Sequence, residues 1–118
     1  MKRIIIANAF SLNMLDANNG ECDALMRPLK SIEASALVNL YSGMNFPVLS
    51  CVGHEDVARM MASELGYDIP CSRVSASVLP GDCVIVGQYS GPRLPEGATE
   101  LPPAARIQWW SVRIGRVE

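Results

Sequence analysis

The sequence predicts an α+β fold: one domain over residues 1–118, with a mixed β-sheet of about five strands covered by two helices. Three observations predict it. Short runs rich in β-branched and apolar residues recur at 3–7, 46–51, 83–89 and 106–114. A single strongly amphipathic run, residues 54–65, stands between them. At 118 residues and 49% hydrophobic, the chain carries material for one core.

Taken in order, Arg3-Ile4-Ile5-Ile6-Ala7 is apolar throughout, the pattern of a strand buried on both faces. Residues 8–23 are polar, carry Asn18-Asn19-Gly20 and show no period, as a loop does. Residues 24–30 form a short strand despite Pro28. Ser31 is the expected N-cap of a helix running to about Leu40 or Tyr41, ended by Gly43 and Asn45.

Residues 46–51 make a second core strand. The helix over 54–65 places Val57, Met60, Met61 and Leu65 on one face as core filler, and His54 falls in its first turn. Glu55 and Asp56 suit the positive end of the helix dipole, and Gly66 is a natural stop. Residues 73–78 alternate as a half-buried strand does. Pro80-Gly81-Asp82 turns the chain into the strand 83–89, a Gly/Pro-rich connection spans 90–103, and 106–114 closes the sheet around Trp109-Trp110.

Composition excludes several functions. Charged residues are 19% and the net charge is −2, so no basic field attracts long nucleic acid. A nucleotide would be held by local arginines. The four cysteines lack Cys-x-x-Cys spacing and there is one histidine, a poor set for zinc; each cysteine reads as a small buried hydrophobe. No run approaches the roughly 18 apolar residues of a membrane span, and the basic start precedes too short an apolar run for a signal peptide. The expectation is a cytoplasmic protein with reduced thiols, no cofactor, no metal and no membrane contact.

Three loop segments carry candidate chemistry. Asn8, Ser11 and Asn13 offer uncharged donors for phosphate oxygens, ribose hydroxyls or base edges, or serve ordinary turns. Gly53-His54-Glu55 pairs a residue permitting close backbone approach with the one side chain whose charge changes near neutrality. A capped helix start is the structural alternative. In Gly91-Pro92-Arg93-Leu94-Pro95-Glu96-Gly97 two prolines restrict the loop, so Arg93 can grip a phosphate while Glu96 orients it or a ribose hydroxyl. The plainer alternative is a solvated ion pair. Arg73 is a further phosphate candidate. Cys51, three residues before His54 in an apolar run, reads as buried and inert. Walker, Gly-x-Gly-x-x-Gly and Gly-x-Ser-x-Gly signatures are missing.

Asn8-Ala9-Phe10-Ser11-Leu12-Asn13-Met14, Gly53-His54-Glu55, the Glu64-Leu65-Gly66 helix end, Ser72-Arg73, Leu79-x-Gly81-Asp82 and Arg93-Leu94-Pro95-Glu96-Gly97 occur in this order. In this the chain resembles the viral ring nuclease family, the type III anti-CRISPR proteins of archaeal viruses and bacteriophages, over residues 3–114. The resemblance implies a homodimer that binds cyclic tetra-adenylate across its two-fold axis. It implies metal-free cleavage to linear di-adenylate ending in a 2′,3′-cyclic phosphate, which silences type III CRISPR signalling in the host cytoplasm. By the same resemblance His54 is the general acid, Arg93 and Glu96 complete the catalytic set, and Asn8, Ser11, Asn13, Arg73 and Gln88 bind the ligand, beside Gly53, whose close backbone approach to a ligand is read from the residue itself.

Elementary chemistry agrees with that reading. RNA supplies its own 2′-hydroxyl as nucleophile, so the protein adds geometry, a proton and positive charge. One histidine per chain becomes two opposed groups in a C2 dimer, suited to two cuts in a four-phosphate ring. A non-catalytic sponge or sensor of cyclic oligonucleotides is the alternative, and a domain whose polar loops bind a protein partner is a third.

Overall fold

A fully buried strand forms where every side chain is apolar: β1 (Ile4–Ala7) is buried along its whole length. The computed structural model describes residues 3–98 and 100–116. After β1 come β2 (Cys22–Leu29), α1 (Ser31–Gly43), β3 (Val48–Ser50), α2 (Glu55–Leu65), β4 (Cys83–Ser90) and β5 (Arg106–Arg116). The five strands lie in one sheet in the order β2-β5-β4-β1-β3. β1 pairs in parallel with β3 and β4, while β5 is antiparallel to both β4 and β2. The α+β class, the mixed sheet and the two helices are as the sequence predicts.

Parallel pairing sets where a site can form. Because β1, β3 and β4 run the same way, their carboxyl ends open on one edge of the sheet, the usual seat of ligands in such arrangements. From that edge depart the segments after Ala7, after Ser50 and after Ser90.

The two sheet faces are covered differently. α1 and α2 pack on one face, against Ile4, Ile6, Ile85 and Trp109. The other face holds Ile5, Ala7, Val84, Val86 and Val112, covered by chain without regular strands or α-helix: Phe10, Met14 and Leu15 from one segment, Ala76 and Val78 from another. The two covers join where the Val78 N–H donates to the Met14 carbonyl at 2.7 Å. Beneath them Arg3 forms a forked pair with the fully buried Asp82, at 3.1 and 2.6 Å, and also bonds the Ser77 carbonyl.

Several expectations need correction. Residues 73–78 alternate but form no strand, because the segment lies across a sheet face and not beside an edge. Ser31 is the first helical residue and Lys30 the N-cap; Glu33 accepts the Lys30 backbone N–H at 2.9 Å. The helix reaches Gly43, two residues beyond the expected end, and Asn45 then turns left-handed with φ 63°. β2 starts at Cys22, earlier than expected, and β3 is confined to Val48–Ser50. Only Cys83 is fully buried; Cys22 and Cys51 are half-buried and Cys71 is exposed. As expected, Met60 and Met61 are core, and Gly66 ends α2 in the left-handed region. Among the described residues no helix is long and apolar enough to cross a membrane.

Candidate functional site

His54 stands at the carboxyl edge of the sheet as the N-cap of α2, not within its first turn. Its backbone is extended, and its Nδ1 accepts the Val57 N–H at a long 3.5 Å. An acceptor nitrogen carries no proton, so in the neutral ring the proton sits on Nε2, the nitrogen left for a ligand. Protonating the ring at Nδ1 would remove the acceptor from Val57. The helix cap and the ring nitrogen that faces a ligand belong to one side chain.

Two clefts meet at this residue. The first, about 450 Å³, is lined by Asn8, Ser11 and Asn13 from the segment after β1, by Gly53 and His54 after β3, and by Arg73 with residues 74–76. The second, about 470 Å³, is lined by His54, Asp56, Arg93, Leu94, Pro95 and Glu96. Eight of the nine expected site residues thus line clefts that share His54. Gln88 does not: it lies on β4 in a neighbouring apolar cleft with Phe10, Met26 and Trp110, which touches the first cleft through Ala9.

Local bonds explain the placement of each group. The Ser72 N–H donates to the Val52 carbonyl at 2.8 Å, pinning the incoming chain to the end of β3. Arg73 then donates from Nε to the Gly53 carbonyl at 3.2 Å. A Cβ on Gly53 would meet the Arg73 Cγ at 3.3 Å. Gly53 does permit a close approach, but what approaches is the Arg73 stem. Glycine there seats the arginine, whose head stays exposed.

The Arg93–Glu96 loop is held from beneath. Leu94 is buried in the helix-side core, the Tyr89 hydroxyl donates to the Pro92 carbonyl, and Ala98 closes a turn on the Pro95 carbonyl at 3.1 Å. Arg93 and Glu96 themselves project to solvent. The solvated ion pair that is the plainer alternative for this loop is not among the ion pairs of the described residues.

Asp56 joins the second cleft although its sequence position reads as a helix-dipole residue. No sequence signal separates these roles, since both need an acid in the first turn. Cys51 also lines the first cleft; burial pushes its thiol up, outweighing a bond from the Ala76 backbone and the charge of Arg3. A thiol held protonated is a weak nucleophile. Among the described residues no three His, Cys, Asp or Glu side chains gather as metal ligands.

The arrangement offers uncharged donors and Arg73 on one side of an imidazole, and a cation with a carboxylate on the other. That set can bind a phosphodiester and deliver a proton to it.

A solved structure with the same architecture is B116 of Sulfolobus turreted icosahedral virus (STIV). It matches with a TM-score of 0.77 and 19% sequence identity, covering 94% of this chain and 98% of that chain; the likeness is one of fold. No curated protein matches the chain significantly. The sequence profile of the STIV B116-like family matches residues 4–104, and the chain belongs to that family.

Proposed function

We propose that the chain is a metal-independent ring nuclease that cuts cyclic tetra-adenylate into linear di-adenylate with 2′,3′-cyclic phosphate ends. The observation that carries the reading is the position of His54 where two clefts meet, phosphate-suited donors on one side and Arg93 with Glu96 on the other.

The chemistry balances without a further reactant. The ribose 2′-oxygen bonds to phosphorus and its proton passes to solvent. The bond from phosphorus to the 5′-oxygen breaks, and His54, as the imidazolium protonated on both ring nitrogens, gives that oxygen the Nε2 proton, is left neutral, and is reprotonated from solvent. Arg93 offsets charge on the phosphorane-like transition state, and Glu96 orients Arg93 or a ribose hydroxyl. General acid catalysis of this kind contributes about 10²–10⁴-fold. Asn8, Ser11, Asn13 and Arg73 hold the ring, with Gln88 reaching it from the adjoining cleft.

The working unit in this reading is a homodimer in the host cytoplasm, suppressing type III CRISPR signalling. Two copies of His54 serve two opposed phosphodiesters, and doubled arginines answer four phosphates despite the acidic chain.

The test is product analysis on a panel of cyclic oligoadenylates of different ring size, with and without chelator. Cleavage of the four-membered ring in both conditions supports the reading. Tight binding with the ring returned intact makes the protein a sponge, and absence of binding by calorimetry removes the nucleotide altogether.

A further inference from the structure

Arg59 lies one turn into α2, outside the predicted site, yet it makes the one side-chain bond among the described residues from α2 to the segment carrying Arg93 and Glu96. Its Nη1 donates to the Ala98 carbonyl at 3.1 Å, across 39 residues of sequence. The same nitrogen donates to Asp56 Oδ1 at 3.2 Å. Nη2 stands 3.7 Å from Glu55 Oε1, a pair whose glutamate is 79% exposed and therefore of little weight. The Asp56 side chain, in contrast, is 16% exposed.

Both bonds bear on the second cleft. Ala98 follows Glu96 by two residues and closes the turn on Pro95, so fixing its carbonyl fixes the far end of the loop. The near end is fixed by the Tyr89 hydroxyl on the Pro92 carbonyl. Asp56 shares the cleft with Arg93, and a carboxylate without a partner there would compete with a phosphate for the Arg93 guanidinium. Arg59 occupies that carboxylate.

We infer that Arg59 is a positioning residue: it staples the Arg93–Glu96 loop to the helix that His54 caps, and keeps Asp56 away from Arg93. For its catalytic consequence this rests on the ring-nuclease reading; for its geometry it does not. Arginine suits the task because one planar head meets two acceptors at once.

The test uses the full chain and reads two quantities. Amide hydrogen exchange of peptides covering residues 93–98 should quicken about tenfold in Arg59→Ala while β1 and β4 keep their protection. With cyclic tetra-adenylate, kcat should fall about ten- to a hundredfold, because displacing catalytic groups by about 1 Å costs that much. Arg59→Lys, which keeps the charge but lacks the planar head, should recover only part of both losses, and Glu55→Ala should change neither. Unchanged loop exchange in Arg59→Ala overturns the staple, and unchanged kcat beside an active wild type overturns its role in positioning. If wild type does not cleave, the nuclease reading fails and the exchange measurement still decides the staple.

Discussion

The indole Nε1–H of Trp109 on β5 donates to Oε1 of Glu64 on α2 at 3.0 Å, tying the helix that His54 caps to the sheet. Trp109 is almost wholly buried and lies opposite Gly87 on β4. The ring crosses β4 where there is no side chain: a Cβ on Gly87 would sit 2.8 Å from the indole Cζ3 and 2.9 Å from the Met61 Cε. Met61 can swing its end away, but Trp109 is held by Glu64. Gly87→Ala should therefore cost about 1–3 kcal/mol of stability, the usual penalty of overpacking, read as a shift in urea midpoint. An unshifted midpoint would mean that the indole moves freely.

Asp82 should be the most sensitive polar position outside the site. Its carboxylate takes both nitrogens of Arg3 and the Leu79 N–H at 2.8 Å, with no exposure to water. Asp82→Ala leaves Arg3 and the Leu79 N–H without that partner and should cost about 3–5 kcal/mol. Asp82→Asn retains an acceptor and should cost less. Equal losses in the two variants would show that the charge, not the hydrogen bonds, holds the turn.

Alkaline pH should expose Cys83. Burial pushes its thiol up from 9.0 to about 11, outweighing the charge of Arg113, so the folded chain holds that proton more tightly than the unfolded chain. The stabilisation is full below the unfolded value of 9.0 and is lost as pH rises toward about 11. Urea midpoints should fall through this window, and less steeply in Cys83→Ala, which has no thiol to ionise. Matching slopes would assign the effect to other groups.

Legibility from sequence followed locality. β1, α2, the Pro80–Gly81 turn and β4 are each set by neighbouring residues, and each stands close to where the pattern puts it. Residues 73–78 mislead because alternation reports which side chains are buried, not whether the backbone finds a strand. Ala76 and Val78 cover the sheet while Val74 is 69% exposed, and the Val78 N–H bonds a loop carbonyl. β2 keeps Pro28 because it is an edge strand, where a missing donor is tolerated. The candidate site was legible as motifs, and the sheet topology brings eight of those residues to clefts around His54. The bond from Arg59 to Ala98 was not, since it joins residues 39 apart with no local signature.

In the proposed mechanism His54 is both helix cap and proton donor, and substitutions divide the two. His54→Ala removes the weak cap on Val57 and should cost about 0.5–1 kcal/mol, whereas His54→Asn supplies a better cap and should leave the thermal midpoint at or above wild type. Neither can donate a proton as the imidazole does.

The most direct measurement is therefore a single-turnover time course on labelled cyclic tetra-adenylate, with excess wild type beside excess His54→Asn. Wild type should convert the ring to di-adenylate bearing 2′,3′-cyclic phosphate, while His54→Asn, folded and binding, returns it intact. A ring that survives wild type, or one that His54→Asn cuts at the wild-type rate, would contradict His54 as the general acid of a ring nuclease.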